Sequence, residues 1–133
     1  MKFAPYLSFQ GDCERAFQFY EHCFGGKLGP LFRFAGTPMA EQVPKEWADK
    51  IMHGSVSVAG YELMGADVLP SQFETPKGFT LSIQLQSTSE AKRIFAELAK
   101  EGEVVVALQK TFWIALFGQV IDRFHIPWMI NCG

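Results

Sequence analysis

The chain has 133 residues, of which 48% are hydrophobic and 20% charged. That balance excludes a disordered tail or linker and fits one domain of ordinary size. Fourteen acidic against twelve basic residues leave a net charge of −2, so no basic field favours nucleic acid as the main partner.

In chain order, residues 3–10 (FAPYLSFQ) read as a short, aromatic, near-alternating strand. Cys13, Ala16, Phe17, Tyr20, Cys23 and Phe24 then follow the i, i+3, i+4, i+7 spacing of an amphipathic helix, which Gly25 and Gly26 end with a left-handed cap. Residues 27–34 read as a second strand. Residues 35–49, with Gly36, Pro38 and Pro44, read as a loop holding one helical turn. Residues 50–59 and 61–67 are predicted to form a hairpin around Ala59-Gly60. A proline-bearing connection, 68–77, follows.

The order then restarts. Residues 79–86 read as a strand, and a helix follows with apolar Ala91, Ile94, Phe95, Leu98 and Ala99. Ser87 and Glu90 have the spacing of a capping box at its start, and Gly102 stops it. Strands are predicted near 103–109, 112–121 and 126–131. A shift of 76 superposes Gln10 on Gln86, Glu14 on Glu90, Phe19 on Phe95 and Gly26 on Gly102. The chain is therefore an internal repeat within a single domain, 1–133, with βαβββ modules at about 1–67 and 78–133. The fold class is α+β, a curved mixed sheet with a concave cavity face.

No apolar run approaches the ~18 residues of a membrane span, and Pro5 with early charges does not read as a signal peptide. No membrane partner is expected. Cys13, Cys23 and Cys132 cannot all pair and show no CxxC spacing, which fits small packing residues in a reducing, cytoplasmic compartment. The alternative is a reactive Cys13 in the first turn of its helix, where a thiolate is favoured.

Strand alternation sorts side chains between faces. Leu81, Ile83 and Leu85 belong under the helix, with Thr80, Ser82 and Gln84 opposite. A two-residue turn at 59–60 pairs Ser57 with Glu62 and Ser55 with Met64, so His53, Ser55, Ser57, Glu62 and Met64 share one face. The shift of 76 puts Ala4, Tyr6 and Ser8 on the corresponding face. Such faces are either solvated or the walls of a ligand cavity. The mixture of Ser, His, Met and Tyr rather than Lys and Glu, recurring in both halves, favours the cavity.

The segments PYLSFQGDCERAFQFYEHCFGG, MHGSVSVAGYELMGAD and FWIALFGQVIDRFHIPWMINC carry a family pattern. The last has the most specific skeleton: Phe117, Gly118, Asp122, Phe124, Trp128 and Asn131. Over nearly its whole length the chain resembles the PhnB-like branch of the vicinal oxygen chelate superfamily, which includes glyoxalases, bleomycin-resistance proteins and extradiol dioxygenases. The resemblance implies paired βαβββ modules, commonly assembled as a homodimer. Some members of the branch carry the label of a demethylubiquinone methyltransferase, yet no glycine-rich strand-to-helix loop is present here to hold a nucleotide-like cofactor. Relatives usually have Gly where this chain has His125, which predicts a positive φ there. Asp122 then reads as a turn residue, with a catalytic acid as the alternative.

Metal-dependent relatives place one His or Glu on each of four strands. Those positions fall near Pro5 (within Ala4–Tyr6), on Met64, on Thr80 and on Met129. None of these is a strong ligand, so no metal and no other cofactor is expected. His22 falls on a helix and His125 in a turn. His53 and Glu62 are the nearest substitutes, as an acid–base pair or a weak two-ligand site. His53 is either a hydrogen-bonded strand residue or a cavity-wall proton donor and acceptor.

Three functions stay open. The leading one is a metal-free small-molecule-binding protein, with Tyr6, Ser55, Met64, Thr80, Ser82 and Met129 contacting the ligand. The second is an enzyme of lyase, isomerase, dioxygenase or related type. It would use His53 and Glu62, with or without a weakly bound divalent metal. The third is a structural or regulatory dimer. Trp113 is either a stacking wall for a ligand or an entrance residue of the last hairpin.

Overall fold

The computed structural model describes residues 1–133. The chain divides into two compact units, Met1–Glu74 and Thr75–Gly133. In the first, β1 (Tyr6–Phe9) leads into α1 (Cys13–Phe24), then β2 (Lys27–Leu28), β3 (Phe32–Arg33), β4 (Ile51–Val58) and β5 (Tyr61–Asp67). In the second, β6 (Leu81–Leu85) leads into α2 (Thr88–Ala99), then β7 (Glu103–Gln109), β8 (Leu116–Ile121) and β9 (Pro127–Cys132). Each unit has its own mixed sheet, as the two-module reading expects. The orders are β1-β5-β4-β2, with β3 also on β4, and β6-β9-β8-β7. The first strand of each unit pairs in parallel with the last, and the remaining pairs are antiparallel.

The β4–β5 hairpin has the expected register, Val58 opposite Tyr61, Ser57 opposite Glu62 and Ser55 opposite Met64. Ala59 and Gly60 both adopt positive φ, 49° and 84°, as a two-residue turn of the twist-matching type requires. The predicted strand 27–34 is broken into β2 and β3. Pro30 has no N–H for a ladder, and a Cβ on Gly29 would collide with the Ser55 hydroxyl. Phe32 pairs with His53 but Arg33 with Ile51, so Met52 is an extra residue in β4. This bulge turns Ile51 back to the core beside Gly54, while His53 keeps the opposite face. Residues 35–49 hold two 3-10 turns, Pro38–Gln42 and Lys45–Trp47, where one was expected. Arg33 donates to both oxygens of Glu14 at 3.0 Å, tying β3 to α1 and holding the Glu14 carboxyl below its usual range.

In each unit the helix covers one sheet face. Cys13, Ala16, Phe17, Tyr20 and Cys23 bury the inner side of α1, and Ala91, Ile94, Phe95 and Leu98 that of α2. Cys13, Ala16, Phe17 and Tyr20 therefore match Ala91, Ile94, Phe95 and Leu98, which is a shift of 78. The shift of 76 aligns the open faces of the strands but not the buried faces of the helices. Phe19, which it set against Phe95, lies half-buried outside the core. Ser87 caps α2 by accepting from Glu90 N, and Gly25 closes α1 in the left-handed region. β8 begins at Leu116 rather than 112, because Thr111 and Ile114 bond each other into a turn.

Two buried aspartates organise the backbone. Asp67 Oδ1 accepts from Gly11 N and Cys13 N, and its Oδ2 from Ile51 N. Asp122 Oδ1 accepts from Phe124 N and Ile126 N, and its Oδ2 from Trp128 Nε1. Asp122 is thus the turn residue, and His125 inside that turn has φ 73°.

Candidate functional site

The face of the first sheet turned away from α1 carries Tyr6, His53, Ser55, Glu62 and Met64. Register fixes this arrangement. Met64 lies between Tyr6 on β1 and Ser55 on β4, and side chains of directly paired residues share a face. Tyr6 and His53 stand on strands separated by β5, so the phenol reaches across that strand. Its hydroxyl lies 3.0 Å from His53 Nδ1, and the two rings are 5.7 Å apart at 30°. Phe32, opposite His53 in register, stacks on the imidazole at 6.4 Å and 29°. His53 is thus flanked by two rings, each about half exposed, Tyr6 at 52% and Phe32 at 53%.

A phenol is the better proton donor and a neutral imidazole nitrogen the better base. With the imidazole proton on Nε2 the Tyr6 hydroxyl donates to Nδ1, and with it on Nδ1 the ring donates to the phenol oxygen. Burial, with a smaller effect from the Cys13 thiol, raises the Tyr6 hydroxyl above its usual pKa. The phenol stays protonated and can act as a hydrogen-bond donor throughout the neutral range.

Glu62 does not pair with His53. Lys2 donates to Glu62 Oε1 at 3.2 Å, and both side chains reach solvent. His53 and Glu62 enter separate pairs, Tyr6–His53 and Lys2–Glu62. Sequence reasoning left out Lys2 and Phe32. Lys2 lies outside every periodic segment, and Phe32 gains its position only from the break at Gly29-Pro30.

In the second unit, Ser82 pairs in register with Met129, and Gln84 with Asn131. The Ser82 hydroxyl accepts from Gln84 Nε2 at 2.7 Å and from Asn131 Nδ2 at 2.8 Å. Thr80 precedes β6 instead of opening it and is exposed. His53 is the third residue of β4. Trp113 is 61% exposed, with its ring 6.2 Å from Phe117.

The expected ligand positions of a metal centre fit no ion. Tyr6 opposes Met64, Ser82 opposes Met129, and no group of three or more His, Cys, Asp or Glu side chains is placed to hold one. A nucleophilic Cys13 does not fit either. Burial first, then Asp67, Asp12 and Glu14, push its thiol well above the ordinary value, away from the thiolate. All three cysteines are free and buried.

Comparison with known proteins agrees with this architecture. A model of the 3-demethylubiquinone-9 3-methyltransferase family matches residues 1–131. The chain belongs to that family. It is 39% identical to Protein YjdN of Escherichia coli (strain K12) over 139 residues, covering 98% of this chain and 95% of that protein. It is 40% identical to protein PA1353 from Pseudomonas aeruginosa, whose crystal structure superposes with a TM-score of 0.89 over 99% of this chain and 97% of that one. A glyoxalase/bleomycin resistance protein/dioxygenase family enzyme from Burkholderia phytofirmans PsJN shares the fold, with a TM-score of 0.65 at 9% identity over 97% and 95% of the two chains. The chain accordingly has the α+β fold of that glyoxalase/bleomycin resistance protein/dioxygenase family enzyme.

The family's name implies a methyl donor, and the chain has no glycine-rich strand-to-helix turn of the dinucleotide-binding kind. Such a turn holds phosphates with free amides at a helix N-terminus. At α1 the Gly11 and Cys13 amides are taken by Asp67. At α2 the Glu90 amide is taken by Ser87.

Proposed function

We propose that this chain is a metal-free small-molecule-binding protein that works as a homodimer. The Tyr6–His53 hydrogen bond on the open sheet face carries the reading. It supplies a phenol and an imidazole N–H beside the apolar surfaces of Phe32 and Met64, the sparse polar groups on an apolar wall that ligand sites use. The ligand's polar group bonds His53 and Tyr6, and its apolar body lies on Met64 and Phe32. Ser55 and Glu62 complete the polar rim of this face, and Thr80, Ser82 and Met129 are candidate contact residues of the second unit taken by itself. Pairing is supported by the exposed Tyr6, Phe32, Phe79 and Tyr61, since apolar surface of this kind usually marks an interface. Three cysteines that form no disulfide support a cytoplasmic location; no helix is long and apolar enough to cross a membrane.

The same hydrogen bond also favours a second reading, an enzyme in which His53 moves a proton. Tyr6, not Glu62, is then its partner. Native mass spectrometry of the purified protein tests the first reading by showing a co-purifying small molecule. His53→Ala should remove that molecule with little loss of thermal stability. Loss of stability with the ligand retained would make His53 structural. One stoichiometric metal ion per chain on elemental analysis would overturn the metal-free reading. Light scattering at micromolar concentration should give twice the chain mass, and a monomer would overturn the dimer.

A further inference from the structure

We propose that the open face of the second sheet is a recognition surface for an uncharged aromatic compound whose edge carries both a hydrogen-bond donor and an acceptor. The proposal deepens the small-molecule reading above and rests on it. Its basis is one continuous row of side chains. Gln84 on β6 pairs with Asn131 on β9, and Asn131 pairs with Phe117 on β8. The Trp113 ring lies against Phe117. Adjacent strands are about 5 Å apart, so the row from Gln84 to Phe117 spans about 10 Å. That length suits one aromatic ring with a short polar arm.

The polar end is pre-oriented. Two amide N–H groups use both lone pairs of the Ser82 oxygen, so its own proton is left to donate outward. The same bonds turn the carbonyl oxygens of Gln84 and Asn131 away from Ser82, leaving two acceptors beside one donor. Side-chain amides of this kind read donor–acceptor edges in pairs. The aromatic end offers Trp113, 61% exposed, braced by Phe112 at 4.7 Å. An aromatic ligand gains from offset or edge contact with such a ring.

Charge decides the class. Every side chain of this row is uncharged; the charge that β7 brings to the same face, Glu103, pairs with Ile121, four residues along β8 from Phe117. A charged ligand group would lose water here without meeting an opposite charge. The first sheet differs, since Lys2 and Glu62 form an ion pair beside its open face.

Benzamide, benzoate and benzamidine share one shape and differ in charge, so they test the proposal directly. Each is titrated at millimolar concentration into the full-length protein. Binding is followed by NMR through the side-chain amides of Gln84 and Asn131, the Trp113 indole N–H and the His53 ring. Benzamide should shift the first three signals and bind this face about tenfold more tightly than either charged probe, as an unpaired charge requires. Gln84→Glu replaces an exposed side chain by a near-isosteric carboxylate and removes its N–H bond to Ser82. It should weaken benzamide and bring benzamidine up to match or exceed it. Equal binding of all three probes, or no shift at Gln84, Asn131 and Trp113, would overturn the proposal. So would benzamide binding that ignores Gln84→Glu. Shifts confined to the His53 ring would overturn it while leaving the small-molecule reading of the first sheet in place. Failure of that reading shows separately, as no co-purifying molecule in native mass spectrometry.

Discussion

The Tyr6 hydroxyl and His53 Nδ1 lie 3.0 Å apart although 47 residues separate them in sequence. The bond couples the imidazole tautomer to a phenol from across an intervening strand. Tyr6→Phe should let the ring proton redistribute between the two nitrogens, read from imidazole nitrogen shifts. Because the pair is exposed, the loss of stability should stay within about 1 kcal/mol, while affinity for the co-purifying ligand falls.

Glu62 and Lys2 form a pair that solvent reaches. Exposed pairs contribute about 0–1 kcal/mol. Glu62→Gln and Lys2→Ala should therefore each leave thermal stability nearly unchanged, and so should added salt. A large loss of stability in a melting experiment would show that this pair anchors the N-terminal segment.

Asp67 is far more costly to remove. It accepts three backbone amides from two parts of the unit, at the start of α1 and the start of β4. Each amide left unpaired costs about 1–3 kcal/mol. Asp67→Ala should destabilise by at least about 3 kcal/mol in denaturant unfolding. Asp67→Asn, which keeps an acceptor oxygen for two of the bonds, should lose less.

The Cys13 thiol gives stability a pH slope. Its pKa is raised in the folded chain above the ordinary 9.0, so the folded state keeps a proton that the unfolded state loses. The stabilisation is complete below pH 9 and declines as pH rises beyond it, by about 1.4 kcal/mol per pH unit while only the unfolded thiol ionises. Tyr6 adds the same sign at higher pH. Unfolding measured from pH 7 to the alkaline range should show the decline, and Cys13→Ala should flatten it even if it lowers stability throughout.

His125 holds a left-handed backbone at φ 73°, a conformation that costs a non-glycine residue about 1 kcal/mol or more. The residue is exposed. His125→Gly should raise stability by about 0.5–1 kcal/mol, after the entropy glycine loses on folding, as read by the denaturation midpoint.

The sequence by itself determined what depends on short range. The positive φ at His125 is implied by the resemblance to relatives that carry Gly there, while helical spacing located α1 and α2 and alternation with the Ala59-Gly60 turn set the β4–β5 register. These rest on 3.6- and 2-residue periods and on local turn chemistry, which a chain carries wherever it lies. Only the tertiary structure decided who faces whom. Alternation put Tyr6, His53 and Glu62 on one face, but the strand order β1-β5-β4 and the reach of the phenol gave His53 to Tyr6. The bulge at Met52, the break at Gly29-Pro30 and the amides collected by Asp67 likewise depend on residues far apart in the chain. The two-residue offset between strand and helix repeats has the same origin. Each helix rotates to bury its own apolar stripe against its own sheet, and that choice is made by packing rather than by counting residues.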